Sequence, residues 1–317
     1  MNKILCIGEA LIDMICTDKG RALQHGDNFL KKAGGAPANV AAAIAALGGK
    51  VDLAAKVGVD PFGTHLVEVM NSFGVGTQWM LRDPNHFTTF AFVSLMENGE
   101  RDFYFNRGAD GQLRSSDLQG MSMNDYHIVH FGAALAFLPG PFREAYTDML
   151  ASARAAGRFI SFDPNYRHLL FGNDQQNFVT RSWQVAEHCD FFKVSDEEAL
   201  LITGKTTLED AVEVFRARSR AIFAITLGKD GTLLSTLERK SIVASIPVKP
   251  VDTTGAGDAF VGALLYQLSG HDRNSIGAFS HDDWEGFVRN ANKAGARTCE
   301  YLGAMEAFRH LSADIFK

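Results

Sequence analysis

Cysteine is scarce in this chain and shows no functional spacing. The four cysteines among 317 residues are Cys6, Cys16, Cys189 and Cys299, and no two of them form a CxxC pair. This pattern excludes a disulfide framework and a thiolate metal centre. Reduced, mostly buried thiols and a cytoplasmic location are therefore expected.

Long apolar runs and an excess of basic charge are also missing. No segment approaches the roughly 18 consecutive apolar residues of a membrane span. The apolar N-terminal stretch is interrupted by Glu9 and Asp13 and lacks a small-residue cleavage site, so it is predicted to be a first strand rather than a signal peptide. The net charge is −6 with both signs interspersed, which predicts neither a nucleic-acid nor a membrane partner.

Proline-rich linkers, repeats and low-complexity tracts are absent as well, so nothing marks a second independent domain. Short apolar runs that end in Gly, Asp, Ser or Thr alternate with helical stretches, which predicts an α/β fold with a mostly parallel central sheet and helices on both faces. These runs are Ile4–Gly8, Val51–Ala54, Ile128–Gly132, Phe159–Asp163, Phe191–Ser195 and Ile222–Gly228. Ligands of such sheets bind beyond the carboxyl ends of the strands.

One region departs from this alternation. Phe87–Leu95 and Arg101–Asn106 are predicted to be strands around an Asn98-Gly99 turn, and the residues from Leu11 to Phe29 show no clear helix. We expect a small antiparallel flap, built from about residues 11–33 and 86–108, that lies over the parallel sheet.

The run DTTGAGDAF, Asp252–Phe260, places two glycines and a carboxylate where a loop becomes a helix. The N–H groups of Gly255, Ala256, Gly257 and Asp258 are expected to be unpaired and to form an anion hole at the positive end of the helix dipole. A helix cap would explain one Asp or Thr but would not require Gly-Ala-Gly.

Three further groups have two interpretations each. Gly34-Gly35-Ala36-Pro37-Ala38-Asn39 is either a tight loop entering a helix or a backbone-exposing site where Asn39 contacts sugar hydroxyls. Asp163-Pro164-Asn165-Tyr166-Arg167 is either an exposed turn or a set of ligand contacts at a strand end. Ser195-Asp196-Glu197-Glu198 either caps a helix or holds hydrated Mg²⁺.

Two motif matches are rejected. Ala199–Thr206 satisfies a relaxed P-loop pattern, but Gly204 falls at the end of a predicted helix rather than between a strand and a helix. GAGDAFVG lacks the third glycine of a dinucleotide fingerprint, because Phe260 stands in its place.

Together, GGAPANVA at Gly34–Ala41 and DTTGAGDAF resemble the two signatures of the PfkB, or ribokinase-like, family of ATP-dependent sugar kinases. The resemblance extends over essentially the whole chain, from GEALIDMI at Gly8–Ile15 to GARTCEYLGAM at Gly295–Met305. Within the family, the pattern is most similar to bacterial fructokinases. The resemblance implies that Asp258 is the base, that ATP and Mg²⁺ are required, and that K⁺ is an activator.

The resemblance also implies roles for other residues. The sugar would contact Asp13, Gly34, Gly35, Asn39, Asn165 and Arg167, with Phe103, Phe105 and Arg107 closing over it. The nucleotide would lie against Lys193, Ser195, Thr226, Gly228, Gly231 and Asn292, with Glu198 holding Mg²⁺ through water. A monovalent cation would lie near Asp252, Thr254, Thr298, Tyr301 and Gly303. Because the proton moves late in a loose phosphoryl transfer, Asp258 is expected to need only an ordinary carboxylate pKa.

Two departures from the family pattern leave the sugar open. Ser195 replaces the usual Asn of an Asn-x-x-Glu metal motif, and the flap ends in the shortened Arg107-Gly108-Ala109-Asp110. The prediction is phosphorylation of D-fructose to fructose 6-phosphate, and the alternative is a 2-keto-3-deoxygluconate kinase, for which Arg107 would bind the carboxylate. A sugar or nucleotide sensor would require a broken base or anion hole, and both are intact. Pairing of two flaps in a homodimer stays open.

Overall fold

The structure, a computed structural model, describes residues 1–18, 20–95, 101–172 and 174–316. In chain order its strands are β1 (Ile4–Ile7), β2 (Leu11–Cys16), β3 (Phe29–Gly34), β4 (Val51–Gly58), β5 (Met80–Asp83), β6 (Phe90–Leu95), β7 (Arg101–Asn106), β8 (Ile128–Gly132), β9 (Phe159–Asp163), β10 (Phe191–Ser195), β11 (Ile222–Thr226), β12 (Thr232–Ser235) and β13 (Lys240–Val243). The helices are α1 (Ala36–Ala46), α2 (Pro61–Phe73), α3 (Pro141–Ala155), α4 (His168–Phe171), α5 (Gln175–Ala186), α6 (Asp196–Thr203), α7 (Leu208–Arg218), α8 (Ala256–Leu268), α9 (Arg273–Gly277), α10 (His281–Thr298) and α11 (Ala304–Phe308).

A nine-stranded sheet forms the centre of the molecule, in the order β13-β12-β11-β10-β9-β8-β1-β4-β5. In this spatial order, all strands from β11 across to β5 are parallel to one another. Strands β12 and β13 continue the sheet beyond β11 in antiparallel orientation. The predicted α/β class is therefore confirmed. The carboxyl ends of β1, β8, β9, β10 and β11 meet at one edge, where the predicted ligand residues collect.

A second sheet has the order β3-β2-β6-β7. Its outer pairs, β2–β3 and β6–β7, are antiparallel as expected, while the central β2–β6 pair is parallel. The turn predicted at Asn98-Gly99 lies outside the described residues. Phe103 and Phe105 share one face of β7 and pack with Leu11, Ala91 and Leu135, while Tyr104 points to the opposite face and is exposed.

Each face of the large sheet buries its own hydrophobic core, because successive strand residues point to opposite sides. Ile4 and Cys6 of β1 belong to the core that α1, α8 and α10 cover, whereas Leu5 and Ile7 belong to the core under α3, α5, α6 and α7. Cys6, Cys16 and Cys189 are buried free thiols, as predicted, and Cys299 is partly exposed. Among the described residues, no helix combines the length and apolarity needed to cross a bilayer.

Helices α1 and α8 approach each other closely because small residues face one another between them. A Cβ atom at Gly262 would lie only 2.7 Å from the Cβ of Ala43. This contact brings together the N-terminal turns of the two helices, each of which begins at the carboxyl edge of the sheet. Asn39 of α1 and Asp258 of α8 are therefore neighbours, although 219 residues separate them in the chain.

Candidate active site

The N-terminus of α8 lies at the centre of the candidate site. Gly255 precedes the helix with φ of 82°, and a Cβ there would lie 2.4 Å from the Cβ of Ala304, so only glycine fits. Among the described residues, the N–H groups of Gly255, Gly257 and Asp258 have no protein acceptor. The prediction was wrong for Ala256, whose N–H donates to the Thr253 carbonyl at 3.2 Å. Three donors at a helix N-terminus are therefore available to an anion.

Asp258 lies in the first turn of α8, as predicted. Its Oδ2 accepts a hydrogen bond from Asn39 Nδ2 at 2.8 Å. Burial raises the pKa of Asp258 to about 6, because desolvation and the charge of Asp163 outweigh the Asn39 hydrogen bond and the cations Lys193 and Arg167. The expectation of an ordinary pKa was therefore wrong, because the sequence does not show how deeply this carboxylate is enclosed.

Lys193 of β10 supplies a buried cation beside this helix terminus. Its Nζ donates to Asp163 Oδ2 at 3.1 Å, and a Cβ added at Gly257 would lie 3.1 Å from the same Nζ. The carboxylates of Asp163, Glu198 and Asp258 together raise the pKa of Lys193 despite its burial, so the ammonium is charged. A fixed positive charge thus lies next to the unpaired N–H groups.

Asp13 lies close to Asp258 and contacts the glycine pair. A Cβ at Gly34 would lie 2.1 Å from Asp13 Oδ2, so the Asp13 carboxylate can occupy this position only because residue 34 is glycine. Burial and the negative charge of Asp258 raise the pKa of Asp13 to about 7, against the lowering effect of Arg167. Gly35, with φ of 101°, immediately precedes α1. The structure therefore brings Asp13 as well as Asn39 close to the candidate base.

Two amide groups at this site have unused hydrogen-bonding capacity. Asn39 Oδ1 and Asn165 Nδ2 are buried without a partner in the described part of the chain. Asn165 has φ of 49°, and its N–H donates to Asp163 Oδ1 at 3.1 Å, so the loop after β9 holds the residue in a left-handed conformation. Buried polar atoms without partners are uncommon in proteins, and a polar ligand would satisfy these two.

Arg107 and Arg167 differ from each other in their surroundings. The Arg107 guanidinium donates to Asp110 Oδ2 at 3.2 Å and to the carbonyls of Pro139 and Leu135 at 3.0 Å each. Arg167 is exposed, and its charge acts on Glu9, Asp13 and Asp258. Arg167 donates only to the Tyr166 carbonyl, at 3.0 Å, in the described part of the chain, and its charge reaches the predicted sugar residue Asp13, whereas Arg107 is held by three hydrogen bonds.

Glu198 and Ser195 form a capping box at the start of α6. Glu198 Oε2 accepts from the Ser195 N–H at 2.7 Å, and Ser195 Oγ accepts from the Glu198 N–H at 3.1 Å. Glu198 Oε1 also accepts from the Tyr166 N–H at 2.6 Å, so this carboxylate joins α6 to the loop after β9. The capping interaction is therefore present, and Glu198 also lies close enough to Lys193 to raise the pKa of that ammonium.

Four of the residues predicted to lie against the nucleotide collect at the carboxyl end of β11. Thr226 ends that strand, and Gly228 and Gly231 form the turn into β12. The Asn292 amide lies beneath this turn, where Nδ2 donates to the Val243 carbonyl at 2.9 Å and Oδ1 accepts from Thr232 Oγ1 at 2.7 Å. Asn292 therefore joins α10 to the antiparallel edge of the sheet.

Asp252 joins the two segments of the predicted cation site through hydrogen bonds. Its Oδ1 accepts from the N–H and the hydroxyl of Thr254 at 3.0 and 2.7 Å, and its Oδ2 accepts from the Gly303 N–H at 2.8 Å. The Thr298 carbonyl accepts from the Tyr301 N–H at 3.3 Å. The segment before the anion hole and the segment after α10 thus form one oxygen-rich junction.

Two further acidic residues belong to the site, one from the group predicted at a strand end and one that was not predicted. Asp163, the first residue of the group predicted at a strand end, ends β9 and pairs with Lys193, a partner that the sequence did not indicate. Glu9 follows β1, is 2% exposed and has an unpartnered Oε2. Burial and the charge of Asp110 raise its pKa to about 7. Nothing in the sequence around Glu9 shows that its side chain is enclosed.

Comparison with known proteins identifies the family of the chain. Residues 1–310 match the description of a pfkB family carbohydrate kinase. The chain belongs to this family. It is 33% identical to a fructokinase from Vibrio alginolyticus over 315 residues, which cover 97% of this chain and 96% of that protein.

Solved structures of similar proteins extend the comparison. A fructokinase from Xylella fastidiosa with bound ATP is 31% identical and superposes with a TM-score of 0.88 over 99% of this chain and 96% of its own. A fructokinase double mutant from Vibrio cholerae, with fructose, ADP and potassium bound, is 30% identical and has a TM-score of 0.83 over 100% and 97%. The predicted family and ribokinase-like architecture are thereby confirmed, and the chain is an ATP-dependent sugar kinase.

Proposed function

We propose that this pfkB family member transfers the γ-phosphoryl group of ATP to the 6-hydroxyl of D-fructose. The observation that carries the proposal is the contact between Asp258 and Asn39 beside three unpaired N–H groups. A carboxylate that faces a hydroxyl-binding amide can accept the proton of the attacking hydroxyl. The adjacent helix terminus and Lys193 can stabilise the charge of the transferring phosphoryl group.

In this proposal, separate groups of residues bind the sugar and the transferred phosphoryl group. Asp13, Asn39 and the Gly34-Gly35 backbone hold the ring hydroxyls, and Asn165 and Arg167 supply donors from the loop after β9. Lys193 and the N–H groups of Gly255, Gly257 and Asp258 hold the transferred group. The second sheet, with Phe103 and Phe105 on one face of β7, acts as a lid that excludes water. When bound, Mg²⁺ neutralises charge on the ATP phosphates, and K⁺ in the Asp252 loop orients the anion-hole amides.

A coupled ADP-release assay over a sugar panel tests this proposal. We expect D-fructose to give a higher kcat/KM than ribose, glucose or 2-keto-3-deoxygluconate, because the hydrogen-bonding groups around Asp258 suit a compact furanose with an exocyclic hydroxyl. An enzyme that prefers 2-keto-3-deoxygluconate would contradict the fructose assignment while leaving the kinase chemistry in place.

The acid-sugar alternative depended on Arg107. In the structure the guanidinium of Arg107 pairs with the buried carboxylate of Asp110 and donates to two carbonyls, so binding a substrate carboxylate would break existing contacts. Arg107→Ala is therefore expected to lower stability by leaving the Asp110 charge unpaired. If Arg107→Ala instead lowered the selectivity of the enzyme for acid sugars over fructose and did not lower its stability, the result would support the alternative.

The pH dependence of kcat/KM follows from the raised pKa of Asp258. The base must be ionised, so protonation near pH 6 removes activity as the pH falls. We expect kcat/KM for fructose to rise roughly tenfold from pH 5 to pH 7.5, whereas a carboxylate at its ordinary pKa would give almost no change. Because the pKa of Asp13 is also raised, Asp13→Asn serves as the control, and its residual activity should still show an acid limb, moved slightly to lower pH because the charge of Asp13 is gone. A flat profile down to pH 5 would disprove this assignment.

Activation by K⁺ is expected because the Asp252 loop leads directly into the anion hole. Its carboxylate already fixes Thr254 and Gly303, and a cation bound there would fix the direction of the Gly255 and Gly257 N–H groups before ATP binds. Initial rates should be higher in K⁺ than in tetramethylammonium at equal ionic strength. Equal rates in the two salts would contradict a role for the cation.

A further inference from the structure

A cleft of about 460 Å³ lies between α3 and α5, on the helical layer that covers one face of the large sheet. Its volume is within the range of small-molecule sites in proteins. Phe137, Tyr146 and Leu150 are buried apolar or aromatic residues that line it, and Arg143, Arg154 and Arg181 supply its cationic groups. None of these residues belongs to the kinase site described above.

The helical repeat of α3 explains how this cleft becomes basic. Arg143, Tyr146, Leu150 and Arg154 lie three or four residues apart, so one stripe of α3 carries an apolar centre with an arginine at each end. Arg181 faces this stripe from α5. The same cleft therefore offers an apolar surface and guanidinium groups, which suits a ligand that has both an apolar body and a negative charge.

The arginines of the cleft form no salt bridge with the described residues, and the charge of Asp174 only partly offsets the like charge that Arg143 places on Arg181. In the described ranges of the chain, the side chains of Arg143 and Arg154 have no carboxylate partner, and Arg181 Nε donates to the neutral Asn177 Oδ1 at 2.8 Å. The one acid that lines the cleft, Glu187, accepts from Arg218 Nε at 3.0 Å. Burial and the like charge of Arg143 lower the pKa of Arg181. An anion between these guanidinium groups would remove their repulsion and form bidentate hydrogen bonds.

We propose that the α3–α5 cleft is a second binding site, for a small organic anion with a flat apolar group and one phosphate, sulfonate or carboxylate. The apolar group would lie against Phe137 and Leu150, and the charged group would lie between Arg143 and Arg181. Tyr146 lines this cleft, and its buried hydroxyl lies close enough to Glu9 and Asp163 of the kinase site for their charges to act on it. The site thus borders the catalytic region without sharing its ligands.

Fluorescence titration with anilinonaphthalene sulfonate tests the proposal, since this probe combines a flat apolar group with one sulfonate. The titration uses the full-length protein with saturating fructose and MgADP, so that the kinase site is filled. We expect one saturable site whose Kd rises at least about tenfold in Arg143→Gln/Arg181→Gln. Ala151→Glu, which adds a carboxylate at an exposed helical position lining the cleft, should weaken binding similarly while keeping every arginine.

The control variant is Arg82→Gln/Arg289→Gln, which removes two exposed guanidinium groups from β5 and α10 and should leave the Kd unchanged within twofold. Displacement of the probe by phenyl phosphate in preference to benzoate would assign a phosphate ester, and the reverse order would assign a carboxylate. The proposal is overturned if the probe binds all variants equally, if its binding does not saturate, or if neither compound displaces it.

Discussion

Asp258→Asn is expected to lower kcat by at least about 100-fold while the protein stays folded. The amide occupies the same volume and can still accept from Asn39 Nδ2, so the geometry of the α8 terminus is kept, but it cannot accept the hydroxyl proton. Binding of fructose, measured by calorimetry, should change little. Turnover close to that of the wild type would show that another group is the base.

The same substitution should raise stability at neutral pH. The folded-state pKa of Asp258, about 6, lies above its unfolded value, so the ionised carboxylate destabilises the fold above pH 6. The neutral amide would remove that penalty, which we expect to be roughly 1–3 kcal/mol in the free energy of unfolding at pH 7.5. The gain should disappear below about pH 4, where the carboxyl is protonated in both states. Denaturant unfolding at the two pH values measures it, and a loss of stability at pH 7.5 would contradict the raised pKa.

Lys193→Met should cause the second large effect, a fall in kcat of about 10²–10³-fold. The substitution removes the cation beside Gly257. The carboxylates of Asp163, Glu198 and Asp258 then lose the positive charge with which all three interact. Loss of one partner of a buried ion pair also costs about 3–5 kcal/mol of stability. The acid limb of the pH profile should move to higher pH, because Lys193 lowers the pKa of Asp258.

Lys56→Met provides a matched control for this experiment. Lys56 is also largely buried, and its Nζ lies 2.9 Å from Asp117 and 3.4 Å from Asp83, away from the α8 terminus. We expect this variant to lose stability but to keep kcat and the pH profile. If both lysine variants lose activity equally, the effect of Lys193 is structural rather than catalytic.

The sequence predicted those features that depend on local pattern. Ile128–Gly132, Phe159–Asp163 and Phe191–Ser195 are strands with the predicted bounds, because continuous apolar runs that end in polar residues are typical of buried parallel strands. The P-loop match was correctly rejected, since Gly204 ends α6 in a left-handed conformation. β5, β12 and β13 were not predicted, because each has only four residues and mixes polar with apolar side chains.

Features that depend on packing could not be predicted. The raised pKa of Asp258 and the enclosure of Glu9 arise from elements far apart in the chain, and no local pattern reports such burial. The hydrogen bonds of Arg107 were missed for the same reason, because Leu135 and Pro139 lie about thirty residues beyond it. Ala256 was assigned a free N–H because the sequence does not show that the preceding loop turns back to place the Thr253 carbonyl beside it.

The central claim is that phosphate is transferred from ATP to the 6-hydroxyl of fructose, and ³¹P NMR of the reaction mixture tests it most directly. Purified protein, MgATP, K⁺ and D-fructose should give ADP and one sugar phosphate whose phosphorus couples to the C6 methylene protons. The Asp258→Asn variant should give almost none of this product in the same time. A product phosphorylated at C1, or ATP hydrolysis to inorganic phosphate without a sugar ester, would contradict the account.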